Sequence, residues 1–552
     1  MNRLLILSSI LIYTCLKFTN SNGQSWYKDY DVRIGGTLDD SPSYIEKSTM
    51  GGFIIGATSN SDADGDKTHP NWDSTLTTSD YWIIRLDQNG NKIWDNRYGG
   101  NESEVLVKVL ETMDGGYILA GNSFSGISGD KSQPNWDTTQ QSIDFWIVKT
   151  NANGDKEWDK RIGGNSLELL GDIIQTPDLG YLISGSSLSG ISGDITQASR
   201  GFWDYWVIRL DAQGNLIWEN RYGGPDNDFA TAVDITDNGD FIIGGYSQSG
   251  IGSEKSDDCR GLWDYWVLRI DGLGNKIWDK TYGGSQIDWL FDLIVTADNN
   301  IVMGGQSFSD NNGEKSEPNL DPNLTTSDRW IIKASGSGAI LWDHTIGGSA
   351  SEDLSRIQET PDLGLLISGE SYSSISGNKT EANIGLEQSW VVKTDSSGMV
   401  VWDKTIFSTG HDEEGSAVAT DSICFVNVNY TEASVGGYKS QTNWGEGDIW
   451  LVRICEFQTT GADESLFFEE DIRLYPNPVK SQLAVENTSG NFCRDHGKAI
   501  LTDMFGRVVL TKSLDCFSNE FSMETETLEP GNYVLSISTE SKCYKEIVTK
   551  ID

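Results

Sequence analysis

Asp80-Tyr81-Trp82-Ile83-Ile84-Arg85-Leu86-Asp87, running on through Gly90-Asn91-Lys92-Ile93-Trp94-Asp95 to Tyr98-Gly99-Gly100, is a stretch that returns along the whole chain. Its first tryptophan recurs as Trp146, Trp206, Trp266, Trp330, Trp390 and Trp450, in steps of 64, 60, 60, 64, 60 and 60 residues. Seven copies of so long a unit, each with turn signals inside it, mean an array of supersecondary units rather than one irregular domain.

Within one copy, Gly99 to Trp158, an apolar segment Val105–Thr112 leads through the turn Asp114-Gly115-Gly116 to Tyr117–Gly121. A polar stretch, Ser123–Ser142, then leads to Asp144–Lys149, a turn at Asn151–Gly154, and Lys156–Ile162. Each unit therefore holds four strands. The second strand is a continuous apolar run, as in Phe241-Ile242-Ile243, which suits burial on both faces. The fourth mixes Trp with Asp, Lys and Arg, which suits an outer edge where charge discourages pairing with other chains. The pattern predicts an all-β chain with a seven-bladed β-propeller. The seventh copy stops after its third strand, Asp448–Ile454, while Tyr30-Asp31-Val32-Arg33-Ile34-Gly35-Gly36 matches Trp94–Gly100. The N-terminal strand is thus expected to complete the last blade and close the ring.

The repeats, of the form GGYxxxGxS followed by DYWxxxLDxxGNxxW, resemble the glycine- and tryptophan-rich propeller arrays of secreted Bacteroidetes proteins, over residues 24–457. That resemblance implies an exported propeller and leaves its activity open, since propellers host enzymes and binding modules alike.

Acidic residues outnumber basic ones by 82 to 41, a formal charge of −41 that repels nucleic acid and anionic membranes. Residues 1–23 read as a signal peptide: Arg3, then an apolar run Leu4–Leu16, then the small Ser21 and Gly23, with cleavage expected near Gly23. No later run has the length of a membrane-spanning helix, so none is expected in the mature chain. Export gives the cysteines an oxidising setting. Repeat alignment sets Cys424 and Cys455 at facing ends of two antiparallel strands in the seventh copy, so a disulfide is expected there. Cys493, Cys516 and Cys543 lie near the C-terminus, and three leave at least one unpaired there.

After a polar, acidic linker at 458–470 a second module begins, covering 471–552. Short alternating strands joined by Gly and Pro turns predict a small Ig-like β-sandwich. Its opening Tyr475-Pro476-Asn477-Pro478, its central Asp503 with Gly506-Arg507, and its late Gly531 and Tyr533 resemble the type A C-terminal sorting domain of the type IX secretion system. The resemblance implies the secretion machinery as a partner, with the protein secreted or attached to the outer cell surface.

Because the strand 1–2 and 3–4 turns are tight, the longer 2–3 and blade-to-blade connections share one face, where propeller sites are generally built. On that face Asp40, Glu104, Glu168, Asp228, Asp288, Glu352 and Asp412 recur once per copy, just before the innermost strand. They form a candidate acidic ring for a cation or sugar hydroxyls; the alternative is that each holds its blade in register through backbone N–H groups. Trp72, Trp136, Trp203, Trp263 and Trp444 in the 2–3 loops are candidate sugar-stacking rings, or loop anchors. Asp62, Asp64 and Asp66 alternate in the first loop as candidate Ca²⁺ ligands, the other reading being a solvated turn. No other cofactor is called for. The four histidines, His69, His344, His411 and His496, occupy unrelated positions and no nucleophile motif accompanies them. Carboxylates are too abundant to select an acid pair for an endoglucanase-like glycoside hydrolase, the enzymatic alternative. The expectation is a non-catalytic binding or surface-display protein, with glycans as the candidate ligand.

Overall fold

The computed structural model describes residues 26–137, 142–420, 423–456, 472–487, 497–503, 508–514, 518–539 and 543–551. The expected signal peptide and linker lie outside these residues, as do Gly506, Arg507, Cys493 and Cys516. Every described element is a strand, and the chain divides into two compact units, Lys28–Cys455 and a second that includes Glu456–Asp552.

In the first unit the described strands form antiparallel sheets that follow one another along the chain. The first sheet runs Asp40–Lys47, Phe53–Ser59, Asp80–Leu86 and Lys92–Tyr98, each strand paired with the next. The second to fifth sheets repeat that order, and in the sixth the second strand is split into Leu365–Ser368 and Glu370–Ser371. In the seventh, Asp412–Ala419, Cys424–Thr431 and Asp448–Glu456 are joined by Trp26–Ile34, which lies beside Asp448–Glu456 as the outermost strand.

The third-strand tryptophans explain the repeat. All seven are fully buried, and a buried indole N–H needs an acceptor. Trp82 Nε1 donates to Asp95 at 3.0 Å, Trp206 to Glu219 at 2.7 Å and Trp390 to Asp403 at 2.9 Å, always thirteen residues on, in the outer strand. Trp450 instead donates to Asp31 of the N-terminal strand at 3.3 Å. Neighbouring sheets share apolar cores, the last with the first through Val418, Val426 and Leu451 against Ile45, Phe53 and Ile55. First strands touch their neighbours in a closed circuit, including Asp412–Ala419 against Asp40–Lys47. This is a β-propeller.

The second unit has two sheets, one of Ile472–Tyr475, Gln482–Asn487 and Glu520–Glu524, the other of Val508–Ser513, Gly497–Asp503, Gly531–Thr539 and Cys543–Lys550. Leu483, Val485 and Met523 of one sheet and Leu501, Leu535 and Val548 of the other form a common core. Asn477 accepts the Thr549 N–H at 3.0 Å, so the Tyr475–Pro478 segment is tied to the last strand. Tyr475 is exposed, while Tyr533 is buried with its hydroxyl donating to Glu529 O at 2.7 Å. Cys543 lies on the last strand.

Candidate functional site

The long connections do meet on one face, where each 2–3 loop docks on the preceding Gly-Gly segment: Asp66 N donates to Gly35 O at 2.7 Å and Asp130 N to Gly99 O at 2.9 Å. The seven carboxylates of the expected ring lie beneath this face with no solvent exposure. Each accepts the backbone N–H four residues upstream, from Gly36 to Asp40 at 2.6 Å, Gly100 to Glu104 at 2.8 Å and Gly164 to Glu168 at 2.8 Å. Gly224 and Asp228, Gly284 and Asp288, Gly348 and Glu352, and Ser408 and Asp412 repeat the bond at 2.5–2.8 Å. A hydroxyl adds a second donor, as Ser123 to Glu104 at 2.7 Å and Ser249 to Asp228 at 3.0 Å. All seven carboxylates hydrogen-bond their own chain as internal staples, the register-holding role that the sequence reading set beside the binding rim. All seven are closed to solvent and tied to their own chain, although Asp40, Asp228 and Asp288 each keep one buried oxygen without a hydrogen-bond partner.

These staples carry a pH signature. Burial pushes Glu168 up to about 7 and Asp228 and Asp412 up to about 6, against their hydrogen bonds. A raised folded-state value means the folded protein holds more protons than the unfolded chain between about pH 4 and pH 7, so stability falls as pH rises through that window. Buried Lys131 and Lys439, pushed down to about 8 by desolvation, titrate above it. The melting temperature is expected to be higher by about 2 °C or more at about pH 5 than at about pH 7. Thermal scans showing no change, or the reverse order, would refute the assignment.

The loop tryptophans fall into two groups. Trp72, Trp136 and Trp444 donate Nε1 to the next loop, to Asp130 at 2.8 Å, Asp194 at 2.9 Å and Asp66 at 3.0 Å. The guanidinium groups of Arg97, Arg161 and Arg33 lie over their rings at 4.5, 4.2 and 4.2 Å. Gly129, Gly193 and Gly65 of the next loop come so close that a Cβ would stand 2.9, 2.6 and 2.9 Å from the indole. These contacts bolt loop to loop, the anchoring role that the sequence reading set beside sugar stacking, while the three indoles stay 45%, 44% and 48% exposed.

Trp203 and Trp263 sit elsewhere. In their shorter loops Arg200 and Arg260 take over the loop-to-loop role, pairing with Glu254 at 3.0 Å and Glu314 at 2.6 Å. The two indoles instead join an aromatic group: Trp203 lies 5.3 Å from Phe229, and Trp263 lies 5.9 Å from Phe229 and 5.2 Å from Tyr246. Trp289 follows at 6.1 Å from Tyr246, with its Nε1 buried and without a hydrogen-bond partner. Phe202 and Leu262, next to the two tryptophans, are exposed. No repeated motif marks this group, because Phe229, Tyr246 and Trp289 each occupy a position held by other residue types elsewhere.

Asp62, Asp64 and Asp66 do not converge. Asp64 accepts Thr37 N at 2.8 Å and Thr37 Oγ1 at 2.7 Å, and Asp66 accepts the Trp444 indole. Two of the three carboxylates are thus turned to different internal donors as loop contacts. Cys424 and Cys455 face each other across the second and third strands and are joined as a disulfide.

The axis is also occupied. A cavity of ≈ 440 Å³ is lined by Tyr44, Lys108, Asp172, Asp292 and Arg356, among others, from the innermost strands. Lys108 pairs with Asp172 at 2.6 Å, and Arg356 lies over Tyr44 at 4.5 Å. Asp292, pushed up to about 6 by burial, accepts Ile357 N of the next sheet at 2.6 Å, and Asp172 accepts Val233 N at 3.1 Å. These charges wedge neighbouring first strands together.

The chain is thus a β-propeller repeat protein followed by a separate two-sheet module. Residues 473–550 match the Secretion system C-terminal sorting domain, which marks proteins secreted or anchored on the cell surface and implies contact with the type IX secretion machinery. The chain is 23% identical over 401 residues to Regulatory protein FlaEY of Caulobacter vibrioides, covering 66% of this chain and 41% of that protein. Among solved structures it is similar to a puromycin hydrolase mutant at 10% identity, covering 82% of this chain and 59% of that one, with a TM-score of 0.41. The Neurospora crassa Pan2 WD40 domain matches at 10% identity, 63% and 89% coverage, and a TM-score of 0.33. Among the described residues no helix is long and apolar enough to cross a membrane.

Proposed function

We propose that the chain is a seven-bladed, non-catalytic binding or surface-display propeller with an Ig-like sorting sandwich, and that glycans are its ligands. The aromatic group of Trp203, Phe229, Tyr246, Trp263 and Trp289 carries this reading. It lies on one arc of the ring, and exposed Phe202 and Leu262 extend it to solvent. Indole and phenol rings offer flat apolar faces to sugar rings, and the unpaired Trp289 N–H is a donor awaiting an acceptor. The seven tryptophan repeats and the strand that completes the last sheet support a count of seven blades.

A glycan array probed with the mature protein is expected to show binding that falls about tenfold or more in Trp203→Ala and Trp263→Ala, and is unchanged in Trp136→Ala, where the ring only anchors a loop. Release of reducing sugar from plant or algal polysaccharides would replace this reading with the glycoside hydrolase alternative.

A further inference from the structure

Where one sheet hands over to the next on the long-loop face, three repeat positions meet. They are the residue before the third strand and the two residues flanking the stapling carboxylate of the next sheet. Backbone bonds fix the equivalence: Glu168 N donates to Ile143 O at 2.9 Å, Asp228 N to Trp203 O at 2.8 Å, and Asp288 N to Trp263 O at 2.8 Å. Between the second and third sheets the trio is Ile143, Leu167 and Leu169; between the fourth and fifth it is Trp263, Ile287 and Trp289. At these two junctions the trio is wholly apolar, whereas between the fifth and sixth sheets it is Ser327, Ser351 and Asp353, so the fold accepts either character here. Between the sixth and seventh sheets the same trio is Glu387, His411 and Glu413.

The period of a strand sets His411 and Glu413 on one side, with the staple Asp412 between them on the other. Glu387, with its side chain 4% exposed, is hydrogen-bonded to His411 Nδ1, and one ligand atom from each of the three residues lies within 4.8 Å of the others. A histidinium alone would neutralise one carboxylate and leave the second beside it, with Glu432 adding negative charge to both His411 and Glu413. A dication offsets both.

We propose that Glu387, His411 and Glu413 form a binding site for a divalent transition metal of the zinc class. One imidazole nitrogen with two carboxylate oxygens suits zinc, which takes such ligands at about 2.0–2.2 Å. Calcium, which takes roughly six to eight oxygens, is poorly served by it. Three protein ligands leave a tetrahedral position open toward the loop face, so the metal would be a contact point for a donor atom of a bound partner or for water.

The untagged mature chain, stripped with a chelator, is expected to bind one equivalent of Zn²⁺ by titration calorimetry. Co²⁺ in its place should give the visible absorption of a tetrahedral site. The variant Glu387→Ile/His411→Leu/Glu413→Leu copies a junction already present in the same ring, so it should fold and melt normally while losing at least about 100-fold in Zn²⁺ affinity. His344→Ala, whose ring lies against Glu317 at 3.0 Å on an outer strand, is expected to bind Zn²⁺ as the parent does. A parent chain that takes up no Zn²⁺ would overturn the proposal and leave a surface ion pair. Uptake unchanged in the triple variant would overturn it as well, and so would Ca²⁺ displacing Zn²⁺ at equal concentration.

Discussion

A chain ending before Arg473 is expected to fold its propeller and yet remain inside the cell envelope, with its signal in the medium and at the cell surface reduced to background. The reason is physical separation of tasks. The tail has a core of its own, built from Leu483, Val485, Leu501, Leu535 and Val548, and it coincides with the residues that match the sorting domain. Nothing in the propeller's staples depends on it. The deletion should therefore change location without changing the melting temperature of the propeller. A point variant should do the same: Leu535→Asp introduces a charge at a fully buried position between two sheets, which destabilises a small module by several kcal/mol, about the whole of its stability. Immunoblots of medium, surface-protease-treated cells and periplasm measure the outcome. Extracellular protein at parental levels from the deletion would mean that export does not run through the tail.

How much of this was legible in the sequence depends on whether a residue repeats its neighbours or departs from them. The tryptophan period and the match of Tyr30–Gly36 to Trp94–Gly100 carried the ring, because both are translations of one unit along the chain. The thirteen-residue step from Trp82 to Asp95 was equally visible, but its meaning, an indole N–H seeking an acceptor, emerges only when the strands pair. The acidic ring left two readings open for a related reason. A carboxylate on a loop looks available, and only the hydroxyls nineteen and twenty-one residues later, such as Ser187 and Ser189 for Glu168, reveal that it is already engaged. The loop tryptophans looked equivalent, yet the four residues missing from the shorter loops put Arg200 where Trp136 stands and turned Trp203 toward Phe229. Glu387, His411 and Glu413 were missed by treating histidines one at a time. Set in repeat register, all three fall on positions that are apolar in another copy, and that coincidence was readable.

Asp31→Ala should be as damaging as the same change in a blade made from one continuous segment, and this equality is the sharpest test of closure. In the first sheet Asp95 accepts the Trp82 indole at 3.0 Å, Thr68 N at 2.9 Å and Lys92 at 2.8 Å. Asp31 accepts the Trp450 indole at 3.3 Å and Ser440 N at 2.7 Å, both more than four hundred residues further on, and Lys28 of its own strand at 2.5 Å. Removing either carboxylate strands an indole N–H and a backbone N–H, each unsatisfied buried group costing about 1–3 kcal/mol, while Lys28 keeps its bond to Tyr438 O and Lys92 its bond to Asp66 O. Both variants should therefore lose several kcal/mol, and by similar amounts. Deleting Trp26–Ile34 goes further, since it bares the edge of Asp448–Glu456 and removes Ile34 from the core shared by the last and first sheets. A bare edge of that length invites pairing with other chains, so the truncated protein is expected to aggregate, and a synthetic peptide of residues 26–36 to restore solubility by occupying the vacant edge. Chemical denaturation of Asp31→Ala and Asp95→Ala decides the matter. If Asp31→Ala unfolds like the parent while Asp95→Ala does not, the N-terminal strand does not hold the ring shut.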